Sequence, residues 1–206
     1  MTFKEALAAL LCRDVVTLDF ETERIENRPH YPPVPVGVAL KFNDQPSRYW
    51  AWGHPTGNNC RYEDVKPILE EIWASDYHVV MHHAKFDLAV ALEKLGFPVL
   101  PWYRLHDTTF LHFLFDPHAK KAGLKEVAEE LLDWPPEERD AVADWIWANR
   151  VQLVDQYGGK ITRAKSGPNS AGAWLSKAPG DVVDPYARGD VDRTYALFQA
   201  LLPYIV

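Results

Sequence analysis

Residues 15–18, with the sequence Val-Val-Thr-Leu, lead directly into the acidic segment Asp19-Phe20-Glu21-Thr22. A β-branched and aliphatic run of this kind predicts a buried strand. Alternate residues of a strand point to the same face, so the carboxylates of Asp19 and Glu21 can converge at its end. Two carboxylates this close repel each other unless they are protonated, separated by water or bridged by a cation. An Asp-x-Glu pair at an exposed strand end is also compatible with a solvated surface.

The apolar pattern along the chain predicts an α/β domain with a mixed sheet. Residues 34–42 alternate with period two and residues 48–52 follow a turn, which predicts an antiparallel meander. Residues 78–82 predict a fourth strand, and a weaker extended segment leads to His106 and Asp107. The sheet is therefore expected to combine meander strands with strands that alternate with helices.

Apolar residues at helical spacing predict the helices. The predicted helices lie near residues 65–73, 86–95 and 124–132, and after Pro135-Pro136. Gly96 with Pro98 just after it predicts the end of the second helix. The closing helix is predicted to have Asp184 as its N-cap and Pro185 at its first position, and to end near Leu202.

We interpret residues 1–206 as a single domain with an insertion at about 133–183. Within it, residues 158–180 are rich in Gly, Ser, Lys and Pro, which predicts a long loop. Residues 156–180 contain no Asp or Glu, whereas Lys160, Arg163, Lys165 and Lys177 are all present. A locally basic segment on an otherwise acidic chain is predicted to be functional.

The composition narrows the class of protein. The chain is 47% hydrophobic and 25% charged, as soluble globular proteins are, and no apolar run approaches the ~20 residues of a membrane span. The two cysteines, Cys12 and Cys60, are too few for a disulfide framework, so we expect a cytoplasmic protein. The net charge of −7 argues against a general positive grip on nucleic acid, but not against an enzyme that binds it through metal ions.

Three further residues can join Asp19 and Glu21. Asp87 lies in the first turn of a predicted helix that follows a strand, where sites of α/β proteins form. Tyr186 and Asp190 are four residues apart and share one face of the closing helix. Each acid alone also has a structural explanation, since Asp87 can complement a helix dipole and Asp190 can be a buried, hydrogen-bonded side chain. Together, their carboxylate oxygens suit Mg²⁺ or Mn²⁺.

In order, Asp19-Phe20-Glu21-Thr22, the segment from His83 to Asp87, and Tyr186-x-x-x-Asp190 resemble the three exonuclease motifs of the DEDD (DnaQ-like) superfamily. A tyrosine four residues before the last Asp is typical of its tyrosine branch. Residues 107–128 also resemble the proofreading domains of family A DNA polymerases and RNase D. In the insertion, residues 172–174 (Gly-Ala-Trp) and 178–181 (Ala-Pro-Gly-Asp) resemble bacteriophage-type family A DNA polymerases. The resemblance covers nearly the whole chain apart from parts of the insertion. It implies a ribonuclease H-like fold with a five-stranded mixed sheet flanked by helices.

The resemblance also implies a 3′–5′ exonuclease that uses two divalent cations, Mg²⁺ or Mn²⁺. In this family pattern, Asp19 bridges both cations, and Glu21 and Asp190 hold the one that generates hydroxide. Asp87 would hold the other, largely through water molecules. Tyr186 would orient the attacking water by a hydrogen bond, and the product would be a nucleoside 5′-monophosphate.

Candidate substrate-binding residues surround these motifs. They are Phe20, Thr22, His83, Lys85, Lys160, Arg163 and Lys165. His83 stands where the family usually has Asn, and capping or packing is the alternative to substrate contact there. Lys85 is otherwise a surface lysine, and Phe86 is predicted to belong to the core. Asp107 is predicted to support the site or cap a helix rather than bind metal.

We expect a stand-alone, proofreading-type enzyme in DNA replication or repair that acts on single-stranded or frayed DNA 3′ ends, with a separate DNA polymerase as a candidate partner and no membrane association. One alternative is an exoribonuclease similar to RNase D or oligoribonuclease, because nothing in the sequence identifies a reader of the 2′-hydroxyl. The other is a catalytically inactive module that binds nucleic acid or a polymerase. The presence of all four carboxylates and Tyr186 argues against the inactive module.

Overall fold

The computed structural model of the protein describes residues 14–135, 137–164 and 167–205. Lys165, which the sequence analysis assigns to substrate binding, and Cys12 lie outside these residues. The strands are β1 (Val15–Thr22), β2 (Pro35–Phe42), β3 (Arg48–Ala51), β4 (His78–Met81) and β5 (Leu105–Asp107). They form a five-stranded sheet with the order β3-β2-β1-β4-β5.

The sheet is mixed, as the sequence predicts. β1 pairs with β2 and β2 with β3 in antiparallel fashion, whereas β4 is parallel to both β1 and β5. The parallel pairing of β1 with β4 ends at Thr17 and Val80, so Asp19 and Glu21 extend beyond β4 at the carboxyl edge. Sites in α/β sheets form at this edge. β1 is therefore the central strand and carries its two acids to the edge where a site is expected.

The helices are α1 (Tyr62–Ala74), α2 (Ala84–Leu95), α3 (Thr108–Phe115), α4 (Leu124–Leu132), α5 (Glu137–Ala148), α6 (Arg150–Tyr157) and α7 (Gly180–Ile205). The predicted stop of α2 is confirmed, because Gly96 adopts a left-handed conformation with φ 77°. None of the helices in the described part of the chain combines the length and apolar character that a membrane span requires.

The sequence pattern missed α3 because this helix lacks a clear polar face. Its apolar residues Phe110, Phe113 and Leu114 are exposed, so their spacing does not mark a buried stripe. α6 was also missed, and the predicted loop over residues 158–180 contains a 3₁₀ helix at Ala171–Lys177. Local composition predicted irregular backbone there, and tertiary packing overrode it.

The predicted start of the closing helix is wrong. α7 begins at Gly180, so Asp184 and Pro185 lie inside it. The N–H of Gly180 donates to the carbonyl of Thr56, and a Cβ at Gly180 would lie 2.7 Å from the carbonyl oxygen of Gly57. This close approach between α7 and the loop after β3 sets the start of the helix one turn earlier than the proline suggests.

Both faces of the sheet are covered. On one face, a core cluster joins residues of β1, β2 and β4 to α1 and α2, including Val16, Leu18 and Leu69. On the other, residues of β2 and β3 pack with α7 and with the predicted insertion. The insertion contributes buried Val142, Ile146, Leu153, Ile161 and Trp174 to this second cluster. It is therefore an integral part of the fold.

The carboxylate of Asp107, at the end of β5, accepts backbone N–H groups at the start of two helices. Its Oδ1 accepts the backbone N–H of Thr109 at 2.8 Å, which caps α3. Its Oδ1 and Oδ2 also accept the N–H groups of His83 and Ala84 at 3.2 and 2.9 Å, at the start of α2. The predicted N-cap role of Asp107 is confirmed, and it extends to the helix that carries Asp87.

We expect Asp107→Ala to lower the free energy of unfolding by about 1–4 kcal/mol, because one N-cap is worth ~0.5–2 kcal/mol and this side chain serves two helices. Asp64→Ala is the matched control, since the exposed Asp64 carboxylate accepts a backbone N–H of only one helix terminus, that of Arg61. Chemical denaturation of the two variants measures the difference. Equal losses would show that the second cap contributes nothing.

Candidate active site

The carboxylates of Asp19, Glu21 and Asp190 converge at the carboxyl end of β1. One ligand oxygen from each lies within 4.8 Å of the others. Asp19 and Glu21 belong to β1, whereas Asp190 belongs to α7, which packs against that strand. Glu21 and Asp190 are buried, and Asp19 is partly exposed. The structure therefore brings together three of the four predicted carboxylates in one group.

A β-bulge shapes the acidic end of β1. Glu21 pairs with Gly37, but Thr22 pairs with Pro35, so the register shifts between the two. Bulges of this kind re-aim side chains next to active sites. Gly37 is required opposite Glu21, because a Cβ there would lie 2.1 Å from the hydroxyl oxygen of Tyr49. The missing side chain makes room for the Tyr49 ring.

Asp87 is buried beside the three-carboxylate group without belonging to it. Its Oδ1 accepts a hydrogen bond from the backbone N–H of Phe20 at 2.9 Å. This bond attaches the start of α2 to β1 at the residue between the two acids. The expected contribution of Asp87 to a second cation stays a prediction.

Burial and mutual repulsion hold the pKa values of these acids high. Burial, followed by the nearby Asp190, raises the pKa of Asp19 to about 7, and Lys125 partly opposes this. Burial and Asp19 raise the pKa of Glu21 well above its usual range, and the same two causes act on the pKa of Asp87. The metal-free cluster therefore favours bound protons, which a cation would displace.

Lys125 is a site residue that the sequence analysis missed. Its buried ammonium forms a very short hydrogen bond to Oδ1 of Asp190 and lies 4.1 Å from the centroid of the Tyr186 ring. The sequence did indicate that Lys125 is buried, because it lies three residues before Ala128 and therefore on the apolar face of α4. A lysine on the buried side of a helix requires an acidic partner.

Tyr186 is held in its protonated form. Burial raises the pKa of its phenol well above the usual range, and the negative charge of Asp190 raises it further. The phenol also forms a side-chain hydrogen bond to Asp190. A protonated phenol can donate to a carboxylate or to a water molecule, but it cannot act as a base.

The donor set fits divalent cations. Asp19, Glu21 and Asp190 offer clustered oxygen ligands of the kind that Mg²⁺ and Mn²⁺ prefer. Burial first, and the neighbouring carboxylates second, raise the pKa values of Asp19 and Glu21, and a bound cation would oppose both effects. Lys125 donates to Asp190, and its positive charge only partly offsets the effects that raise the pKa values of Asp19 and Glu21.

A cleft of about 590 Å³ opens over the carboxylates. One wall is the end of β1 and the segment after it, where Ile25 lies in the cleft and is 60% exposed. Phe86, which was predicted to belong to the core, is half-buried and also lines the cleft. The opposite wall belongs to the predicted insertion, with Gly172 and Leu175 among its residues. The insertion therefore helps to build the site.

Glu23 and His54 hold the insertion against the sheet by polar contacts. Glu23 accepts hydrogen bonds from Ser176 at 2.9 Å and from the ammonium of Lys177 at 2.7 and 2.8 Å. On the other side, the Tyr49 hydroxyl lies 2.7 Å from Nε2 of His54. Burial lowers the pKa of His54, so its ring is neutral and its Nδ1–H can donate to the Ala178 carbonyl at 2.9 Å.

Near the site, the remaining substrate candidates occupy different environments. Phe20 is only 3% exposed and belongs to the core as well as the cleft lining. Thr22 lines the cleft, and its hydroxyl donates to the carbonyl of Glu23. Lys85 is exposed. The substrate roles of these residues stay predictions.

His83 is exposed and takes the N-cap position of α2, with a left-handed φ of 59°. Its ring makes no capping hydrogen bond, and its Nδ1 lies 3.2 Å from the hydroxyl of Thr109. Asn tolerates the left-handed region better than most residues, which explains the usual family choice at this position.

The basic residues Lys160, Arg163 and Lys177 of the insertion, all within the described part of the chain, do not lie together in the cleft. Lys160 lines a separate cavity with Arg150 and Asp155. Arg163 lines a cavity that adjoins the cleft at Tyr186. Lys177 is engaged with Glu23. Of Lys160, Arg163 and Lys177, Arg163 is thus the one that lines the cavity next to Tyr186, whereas Arg24, outside the insertion, lines the cleft itself.

Comparisons with known proteins agree with this geometry. The DNA polymerase of Escherichia phage T5 is 25% identical over 197 residues, which are 92% of this chain and 20% of the polymerase. The chain therefore spans about a fifth of the length of that relative.

Solved structures share the fold. Trypanosoma brucei RNase D in complex with GMP aligns with a TM-score of 0.59 and 15% identity, over 97% of this chain and 54% of that one. Brucella melitensis NrnC bound to pGG aligns with a TM-score of 0.57 and 19% identity, over 95% and 74%. The expected ribonuclease H-like sheet flanked by helices is confirmed.

A family model described as 3′-5′ exonuclease matches residues 1–205, nearly the whole chain. The motif pattern, the converging carboxylates and this match all indicate the same family. The chain belongs to the DEDD-type 3′–5′ exonuclease family, whose members are divalent-metal-dependent nucleases.

Proposed function

We propose that this exonuclease removes nucleoside 5′-monophosphates one at a time from the 3′ ends of single-stranded or frayed DNA. The observation that carries the proposal is the buried group of Asp19, Glu21 and Asp190, with one oxygen of each inside 4.8 Å, at the back of a cleft. Such a group is poised to hold cations beside a phosphodiester.

Each site residue has a distinct task in this proposal. Asp19, Glu21 and Asp190 would hold two divalent cations, with Asp87 completing the set. When bound, Mg²⁺ or Mn²⁺ would supply a hydroxide nucleophile and neutralise charge that develops on the phosphate. Tyr186, kept protonated by its surroundings, would donate to the attacking water and orient it.

Lys125 would act through other residues. Its ammonium holds Asp190 by a hydrogen bond and lies against the Tyr186 ring, so it fixes the two α7 residues relative to each other. Tyr186 and Asp190 are one helical turn apart, and both depend on the same contact for their positions. Lys125 is therefore a positioning residue in the proposal.

The walls of the cleft suit a nucleoside. Ile25 is exposed within the cleft, and Phe86 and Leu175 provide further apolar surface. Apolar and aromatic side chains stack on or wedge between bases regardless of their identity. The 3′-terminal base would lie against Phe86 and Ile25, with its phosphate directed at the carboxylates.

DNA is the preferred substrate in this proposal because the phage T5 relative, 25% identical over 197 residues, is a DNA polymerase. An exoribonuclease is the second candidate, since RNase D and NrnC share the fold. The inactive module is disfavoured, because the sequence retains Asp19, Glu21, Asp87, Asp190 and Tyr186. A role in proofreading, replication or repair beside a DNA polymerase follows as part of the same proposal.

The direct test uses one sequence prepared as DNA and as RNA, each labelled at the 5′ end. With Mg²⁺ or Mn²⁺ we expect the DNA to shorten stepwise at least about tenfold faster than the RNA, equivalent to ~1.4 kcal/mol in the transition state. Excess EDTA should stop cleavage, and added metal should restore it. Full activity in EDTA would contradict the metal role, and faster cleavage of RNA would reverse the substrate assignment.

Asp19→Asn should remove nearly all activity and raise the melting temperature in EDTA, because it relieves repulsion with Glu21 and Asp190. Tyr186→Phe should be milder, since only the orientation of the water is lost. Asp190→Asn is the informative comparison: it should remove activity without stabilising the protein, because it weakens the bond to the buried Lys125. A Tyr186→Phe defect as deep as that of Asp19→Asn would contradict the role of the phenol.

Neutralising Lys160, Arg163 and Lys165 together should weaken binding of long single strands. Each phosphate contact contributes ~0.7 to the slope of log K against log salt, so the slope should fall by up to about 2. KM for a long oligonucleotide, measured against salt, reports this slope. Arg61, Lys66 and Lys94, which do not line the cleft, provide a control triple variant of the same charge change. Superimposable curves for all three proteins would show that the insertion does not bind phosphates.

A further inference from the structure

A second cavity lies directly behind the wall of the active-site cleft. It has a volume of about 380 Å³ and is enclosed by α5 and the insertion. Gly172, Leu175 and Tyr186 line both this cavity and the cleft. The two spaces therefore share a thin wall, and that wall contains the tyrosine of the reaction centre. We call the second space the α5 cavity.

The lining of the α5 cavity suits a flat, largely apolar ring. Val142, Ile161 and Leu175 provide aliphatic surface, and the small side chains of Ala143 and Ala164 leave the space open. Trp147 adds an aromatic face, with the guanidinium of Arg163 at 4.7 Å from its ring centre. Cavities of ~300–1,000 Å³ with few polar groups are typical of small-molecule sites, and every nucleobase can stack on such surfaces.

Charges of both signs line the α5 cavity among the residues that the structure describes. Arg139 and Arg163 line it, but so do the exposed acids Glu126 and Asp144. The formal charges of these four side chains cancel. The cavity therefore accommodates an uncharged base better than a phosphate chain. Arg163, which is exposed, lies where a phosphate outside the cavity could reach it.

A cleaved phosphodiester has a nucleoside on each side, so an exonuclease must accommodate two neighbouring bases around one phosphate. On the basis of the proposed function, we infer that the α5 cavity binds the penultimate base of the strand, while the cleft binds the terminal one. Tyr186 borders both spaces, and the phosphate between the two nucleosides would pass beside it. The proposal gives the insertion a direct role in substrate binding.

The order of the two bases follows from the rest of the strand. Further phosphates continue only on the 5′ side of the penultimate nucleoside, and they need cations rather than acids. The cleft carries Asp19, Glu21, Glu23 and Asp190. Its cation Arg24 is paired with Glu26, and the nearby Lys177 is held by Glu23. The exposed Arg163 lies on the side of the α5 cavity. The strand is therefore expected to leave past Arg163.

The test compares an intact single-stranded DNA with strands that lack either the penultimate or the terminal base. For the unaltered protein, loss of the penultimate base should lower kcat/KM at least about fivefold, the lower end of the usual contribution of one stacked base. Ala143→Phe fills the α5 cavity, so it should lower kcat/KM for intact DNA to the level of the abasic strand. The penalty for the missing penultimate base should then vanish.

Ala141→Phe is the matched control, because Ala141 is exposed on the same helix and does not line the cavity. The Ala141→Phe variant should retain the full loss of kcat/KM when the penultimate base is missing. Ala164→Leu fills the same space from the loop side and serves if Ala143→Phe does not fold. A readout independent of activity is photocrosslinking in EDTA: 5-iodouracil at the penultimate position should label the peptide containing Trp147, and 5-iodouracil at the terminal position should not.

Each outcome either supports or overturns the inference about the α5 cavity. An equal penultimate-base penalty in the unaltered protein and in both cavity-filling variants would overturn the inference while leaving the exonuclease activity intact. If the cavity-filling variants instead lost the penalty for a missing terminal base, the α5 cavity would bind the terminal nucleoside, and the inference would also be overturned. Absence of cleavage for every strand and metal would remove the proposed function, and this inference with it.

Discussion

The confinement of like charges at the end of β1 is the constraint on which the rest of the site depends. Asp19, Glu21 and Asp190 are close enough that burial and repulsion raise the pKa of Asp19 to about 7. A fold tolerates this cost only when the arrangement has a use that separated carboxylates cannot fulfil. Bringing acids together against their repulsion requires rigid elements, here a central strand, its bulge and a long helix.

The surrounding contacts supply that rigidity. Asp87 accepts the backbone N–H of Phe20 and so ties α2 to the acidic end of β1. Asp107 caps the helix that carries Asp87 and the helix that follows β5. Lys125 holds Asp190 and lies against Tyr186 from a third helix. Except for the local cap of the helix that follows β5, these contacts join elements that are distant in sequence, so several independent bonds specify the geometry of the acids.

The insertion has a comparable role on the substrate side. Its apolar residues pack on the face of the sheet formed by β2 and β3, and Glu23 and His54 bind its far end through Lys177 and the Ala178 carbonyl. The same segment then forms one wall of the cleft and one wall of the α5 cavity. In this arrangement the acids provide the chemistry, whereas the insertion shapes the space for the strand.

Residue order alone predicted the mixed sheet and most helices, and it placed Asp19 with Glu21 and Tyr186 with Asp190, because strand alternation and helical spacing are local properties that determine which side chains share a face. The union of these pairs in one site was implied by the resemblance of the motifs to the exonuclease family. Tertiary structure alone placed Lys125 against Asp190, the start of α7 at Gly180, and the insertion against the sheet. These features depend on the approach of segments many residues apart. Contacts between residues that are distant in the sequence produce no periodic pattern in it, so these features can be known only from the folded chain.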